Sequence, residues 1–149
     1  MNQKPLLGYI AIVVLFGAAA CGLYWQTLVE KEQVRTVFID ELRIRATVAD
    51  TLAARAKGLS GRTSLPEGEG MLFIFKDDAA HGIWMKDMLF PIDILWVSKE
   101  KQVVHIESNV SPDSYPNVFR PPYAARYVVE LPAGAAQRNS VVNGSEVEF

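Results

Sequence analysis

Residues 70–97 read GMLFIFKDDAAHGIWMKDMLFPIDILWV, and the way this stretch pairs decides the fold. It carries two of the three tryptophans, three of the four methionines and one of the two histidines, with an aspartate set among aliphatics. Three apolar segments, Met71–Phe75, Ile83–Met88 and Ile92–Val97, are separated by a polar turn and a proline. Short runs rich in aromatic and β-branched residues, bounded by turn formers, predict consecutive strands.

Toward the N-terminus, Val34 to Ala49 alternates as a strand pair, TVFI and LRIRATVA, turning near Asp40-Glu41. Leu42, Ile44, Ala46 and Val48 share one face, Arg43, Arg45 and Thr47 the other. Asp50 or Thr51 caps a short helix, TLAARAKG, which Gly58 ends. Leu59 and Leu65 anchor the loop that follows, which also holds Arg62. Toward the C-terminus, Ser98–Lys101 is a polar hairpin turn into VVHIES. Ser111–Tyr123, SPDSYPNVFRPPY, is a long loop whose aromatics argue against disorder. ARYVVEL (125–131) is a further strand, AGAAQR a helical turn, and SEVEF a last strand after Asn143-Gly144. Short strands with hairpin-length links argue against a parallel α/β sheet. The expected fold class is α+β and mostly β, a small curved sheet or barrel-like domain with one or two short helices.

Residues 5–29 contain no charge, and LLGYIAIVVLFGAAACGLYW (6–25) is long enough to cross a bilayer as a helix. Lys4 precedes it and Glu30-Lys31-Glu32 follows, which favours a cytoplasmic N-terminus. The first expectation is an uncleaved signal anchor. Cleavage after Ala18-Ala19-Ala20 and lipidation at Cys21 are the alternatives. The chain then divides into a signal anchor or transmembrane segment (1–29), a linker (30–33) and an extracytoplasmic domain (34–149). The expected location is the inner membrane, single-pass, with the domain facing the periplasm or exterior, or a secreted or lipid-anchored form after signal cleavage.

Fifteen basic and seventeen acidic residues give a net charge of −2, with no cluster of Lys or Arg to track a phosphate backbone. Nucleic acid is therefore not an expected partner. The single cysteine, Cys21, lies in the apolar segment, leaving the domain no disulfide, cysteine nucleophile or thiolate ligand.

One family carries many of these residues. Thr51-x3-Arg55-x2-Gly58-Leu59-x2-Arg62-x2-Leu65, Gly70-Met71-Leu72-Phe73-x-Phe75, Trp84-Met85-Lys86, Pro91-Ile92-Asp93-Ile94 and Tyr127-Val128-Val129-Glu130-Leu131-Pro132-Ala133-Gly134 resemble the domain-of-unknown-function family 192 of bacteria and archaea. The closing Gly144-Ser145-Glu146-Val147 resembles that family's ending, with Ser145 where an aspartate is common. The resemblance runs from about Val34 to Phe149. It implies a compact, mostly β domain with one or two short helices, often behind a signal or anchor. It implies no activity.

Asp93 is the sharpest candidate for chemistry, because both faces of its strand are otherwise apolar. A buried carboxylate must shift its pKa or find a partner, and Lys86, Arg55 or Arg62 are the available cations. It is read either as an acid/base or ligand-gripping group, or, with more weight, as half of an ion pair fixing strand register. Trp84 and Lys86 share one face of their segment and Met85 the other, an aromatic wall with a cation that suits a sugar, a carboxylate or a peptide end. The bland reading makes Trp84 core, with Lys86 snorkelling from it. Arg55 and Arg62 fork onto a ligand anion or hold the loop by pairing with Glu67, Glu69 or Asp93. His81 and His105 have no ligand spacing, so neither a metal nor a cofactor is expected. His81 reads as a turn residue.

The leading expectation is a membrane-tethered extracytoplasmic binding or accessory domain for a small polar or carbohydrate-like ligand or a cell-envelope partner. Arg55, Arg62, Trp84, Lys86 and Asp93 are its candidate ligand-binding residues, and Tyr115, Phe119 and Tyr123 line a lid loop. The alternatives are a cell-envelope hydrolase or transferase with Asp93 as acid/base, and a structural subunit of a membrane complex. The balance leans away from an enzyme.

Overall fold

A computed structural model describes residues 32–149, and Gln33–Phe149 form one compact unit. The anchor, the cleavage site and Cys21 expected in residues 1–29 lie outside the described residues. Among the described residues no helix is long and apolar enough to cross a membrane.

Strands β1 (Val34–Ile39) and β2 (Leu42–Ala49) form the expected hairpin, turning at Asp40, which adopts φ 49°. Thr51, not Asp50, caps helix α1 (Leu52–Lys57): its Oγ1 accepts from the Ala54 N–H at 3.1 Å. The helix stops at Gly58, whose φ of 51° suits a residue without a side chain. Then come β3 (Glu69–Ala79), β4 (Ile83–Trp84), β5 (Ile92–Val97), β6 (Val103–Val110), β7 (Val118–Phe119), β8 (Ala125–Pro132), helix α2 (Ala135–Arg138) and β9 (Val147–Glu148). The long loop contains one 3-10 turn, Pro112–Ser114, besides β7.

Seven strands form one sheet in the order β6-β5-β8-β3-β2-β1-β9. The three segments of residues 70–97 are strands but do not pair with one another. β8, from much later in the chain, lies between β3 and β5, and β4 leaves the sheet to pair with β7 as a separate ribbon. The Ile83–Met88 strand is correspondingly cut to two residues, because the chain turns at Asp87 (φ 55°). β2 and β3 run parallel, with α1 in the crossover that such a pair requires.

The sheet curls as a half-barrel whose edges meet at one end. Val103 N–H donates to the Ser145 carbonyl at 2.9 Å, Gly144 N–H to Val103 at 2.8 Å and Val147 N–H to Lys101 at 2.8 Å. Curling gives the central strands two covered faces, and all six residues of β5 are buried. Leu72, Leu95, Val97, Val129 and Leu131 point to one side, where they pack with Val37, Ile39, Ile44 and the two alanines opening α2. Met71, Phe73, Ile94, Trp96 and Val128 point to the other, covered by Leu59, Leu65, Met85 and Met88. Each large side chain so buried contributes roughly 1.5–3 kcal/mol. The second cluster positions the candidate site.

Candidate functional site

The turn after α1 is stitched to the turn after β4. The Ser60 hydroxyl donates to the Lys86 carbonyl at 2.7 Å, and Gly61 N–H donates to the Asp87 carbonyl at 2.9 Å. Arg55 fixes α1 to β3 by donating from Nη1 to the Ile74 carbonyl at 2.9 Å, with its guanidinium 5.2 Å from the centre of the Phe75 ring. Phe75 in turn stacks on His81 at 3.6 Å and 8°, and the His81 carbonyl accepts from Trp96 Nε1 at 2.7 Å. His81 is thus a wedge in the β3–β4 connection, in keeping with its reading as a turn residue.

Between these stitched turns opens a cleft of about 50 Å³. Residues 55–60, Phe73, Gly82, Ile83, Trp84 and Met88 line it, together with Glu130. Glu130 stands on β8 opposite Ile94 of β5, on the sheet face covered by the second cluster. It is 4% exposed, and its Oε2 has no hydrogen-bond partner. Burial pushes its carboxyl up to about 8, against the opposing pull of the Arg62 charge. At neutral pH this group is a buried acid holding its proton, able to donate one hydrogen bond and accept others.

The rim is aromatic and cationic. Trp84 is 49% exposed, meets Tyr115 edge-on at 6.3 Å, and has the Lys86 ammonium 6.0 Å from its ring. Trp84 and Lys86 therefore share an outward face with Met85 buried behind them, as the alternation requires. Trp84 is rim and not core.

The sequence-predicted residues divide. Arg55 and Trp84 line the cleft, Lys86 and Tyr115 stand at Trp84, and Arg62 acts on Glu130 through its charge. Phe119 pairs with Ile83 and packs against the second cluster, while Tyr123 is exposed and does not line the cleft. Asp93 faces the opposite side of the sheet. Fully buried, it takes no cation: Oδ1 accepts from the Asn109 N–H at 2.8 Å and the Gly134 N–H at 3.0 Å, and Oδ2 from the Ala136 N–H at 2.9 Å. The expected register-fixing ion pair is replaced by a carboxylate that holds the start of α2 to β5. Glu130 is the residue sequence reasoning passed over. Its signal was close to that of Asp93, the one acid of a largely apolar strand, ARYVVELP.

A curled, mostly β domain with two short helices and a small carboxyl-floored cleft defines the class. Two solved structures share the architecture. A protein of unknown function from Novosphingobium aromaticivorans DSM 12444 is 28% identical with a TM-score of 0.77, covering 82% of this chain and 89% of that one. A "putative transcription regulator" from Sinorhizobium meliloti 1021 is 25% identical with a TM-score of 0.75, covering 78% of this chain and 94% of that one. No protein of curated function matches. The family model DUF192, Uncharacterized ACR, matches residues 35–149, and the chain belongs to that family.

Proposed function

We propose that the domain is a binding module, held outside the cytoplasm by its N-terminal apolar segment, that binds a small polar or carbohydrate-like ligand at the mouth of the cleft over Glu130. The observation that carries this reading is the bare Oε2 of a buried, cleft-lining carboxyl. Leaving such an atom unsatisfied costs roughly 1–3 kcal/mol, a cost that a ligand's hydrogen bond removes. The half-exposed Trp84 with Lys86 beside it supplies an aromatic face and a cation at the mouth.

Binding is favoured over hydrolysis because Glu130 is the one carboxylate lining the cleft among the described residues, whereas glycoside hydrolysis ordinarily uses a pair. Asp93, the acid/base of the hydrolase reading, has both oxygens engaged by backbone N–H groups. The regulator description of one neighbour would bring DNA to this chain. The net charge of −2 and the absence of a run of Lys or Arg argue against it.

The test is a thermal-shift screen of the full chain in mild detergent against sugars, organic acids and peptides. Ligands that raise the midpoint in the wild type but not in Trp84→Ala support the reading, and a flat screen counts against it. For location, a fusion of alkaline phosphatase to Phe149 should be active in cells, and an inactive fusion would place the domain inside.

A further inference from the structure

The cleft is too small for a whole ligand. At about 50 Å³ it exceeds the roughly 10–15 Å³ that one water needs, yet falls far below the roughly 300–1,000 Å³ of a pocket that encloses a drug-sized molecule. It therefore takes one substituent, with the body of the ligand outside on the rim. The interior specifies that substituent. Phe73, Ile83 and Met88 offer apolar wall, and the bare oxygen of the protonated Glu130 carboxyl offers one hydrogen bond, given through its O–H or taken on its lone pair. A plain hydroxyl would satisfy the oxygen and leave the apolar wall without contacts. A charged ammonium would bring its desolvation cost into a narrow slot that already has the like charges of Arg55 in its lining and Arg62 acting on Glu130. An acetamido group has both required parts, an amide whose C=O and N–H match a protonated carboxyl, and a methyl. The rim then specifies the body: the exposed face of Trp84 suits the C–H face of a pyranose, and Lys86 lies within reach of ring oxygens.

Resting on the binding reading above, we propose that the ligand is an N-acetylated hexosamine, its ring against Trp84 and its acetamido arm inserted over Glu130. The proton that Glu130 keeps at neutral pH suits this neutral arm, since no counter-charge has to enter the slot.

The experiment is isothermal titration of the full chain in mild detergent with N-acetylglucosamine, glucosamine, glucose and a β-1,4-linked N-acetylglucosamine trimer. N-acetylglucosamine should bind about tenfold or more tightly than glucose or glucosamine. A further gain with the trimer indicates a glycan chain, and equal affinity a free sugar; both support the proposal. Glu130→Leu should erase the preference for the N-acetyl sugar, whereas Trp84→Ala, an exposed change that leaves the core intact, should weaken all four ligands together. Equal binding of glucose and N-acetylglucosamine, or a preference that survives Glu130→Leu, overturns the acetamido assignment. Silence with all sugars alongside a Trp84-dependent response to another small polar ligand overturns this inference and leaves the binding module standing. Silence to every ligand class overturns both.

Discussion

Asp93 and Glu130 sit on neighbouring strands one register step apart, Asp93 opposite Leu131 and Glu130 opposite Ile94, and they meet opposite fates. Asp93 faces the side closed by α2 and finds three backbone donors. Removing the carboxylate leaves three N–H groups without their acceptor, one of them buried, so Asp93→Ala should cost roughly 3 kcal/mol or more in urea unfolding. A loss under about 1 kcal/mol would contradict its role as the clasp of α2. Glu130 faces the cleft, and its folded pKa of about 8 lies above the ordinary value of 4.5. Between those values the folded chain holds a proton that the unfolded chain has lost. The contribution is therefore fully present below 4.5 and is lost as pH rises through 8, a change on the order of a few kcal/mol. The wild-type melting midpoint, referenced to Glu130→Gln, should fall from pH 5 to pH 8, with the variant the more stable at pH 8. Parallel curves would refute the buried-acid reading. Both carboxylates were visible in the sequence, each as the one acid of a largely apolar strand. Which one would be satisfied was not, because alternation assigns a residue to a face without saying what covers that face.

At the scale of elements, β3 and β8 approach each other closely at Gly70, whose Cβ direction faces Ile44 and Leu131 on the side of the sheet away from the cleft. A Cβ on Gly70 would lie 2.8 Å from the Glu130 carbonyl oxygen and 2.9 Å from Ile44 Cδ1. The first of these is backbone, so Gly70→Ala must push β8 outward and shift Glu130 with it. Overpacking of this kind should cost roughly 1–3 kcal/mol by denaturant titration. Any ligand affinity measured at the cleft should fall in parallel, and an unperturbed variant would mean the strands have slack. The β1–β2 and β5–β6 hairpins, a cap at Asp50 or Thr51 and the Gly58 stop were legible because each depends on neighbours in the chain. The insertion of β8 between β3 and β5, the parallel β2–β3 pair and the departure of β4 into a ribbon with β7 were not. A period of two marks a strand without naming its partner.

For the whole described unit, the joining of the sheet's edges gives it an inside. Val147 is 1% exposed, pairs with Ile39 and donates to the Lys101 carbonyl. The Lys101 ammonium sits over the rings of Tyr127 and Phe149, tying the same end to β8. Val147→Asp puts an unpaired charge at this seam and should remove roughly 3 kcal/mol or more, with new proteolytic cuts in β1 and β9. An unchanged cleavage pattern would show that the curl is held elsewhere. The amino-acid sequence by itself determined the mostly β class, the faces of the strands, the stop of α1, the shared face of Trp84 and Lys86 and the family, all properties of local alternation, turn chemistry and motif. Only the tertiary structure decided that the turn at 58–60, β4 and β8 meet around Glu130 while Asp93 faces away from them. Their meeting depends on which distant strands pair, and that choice is made by covering both faces of one curled sheet at once.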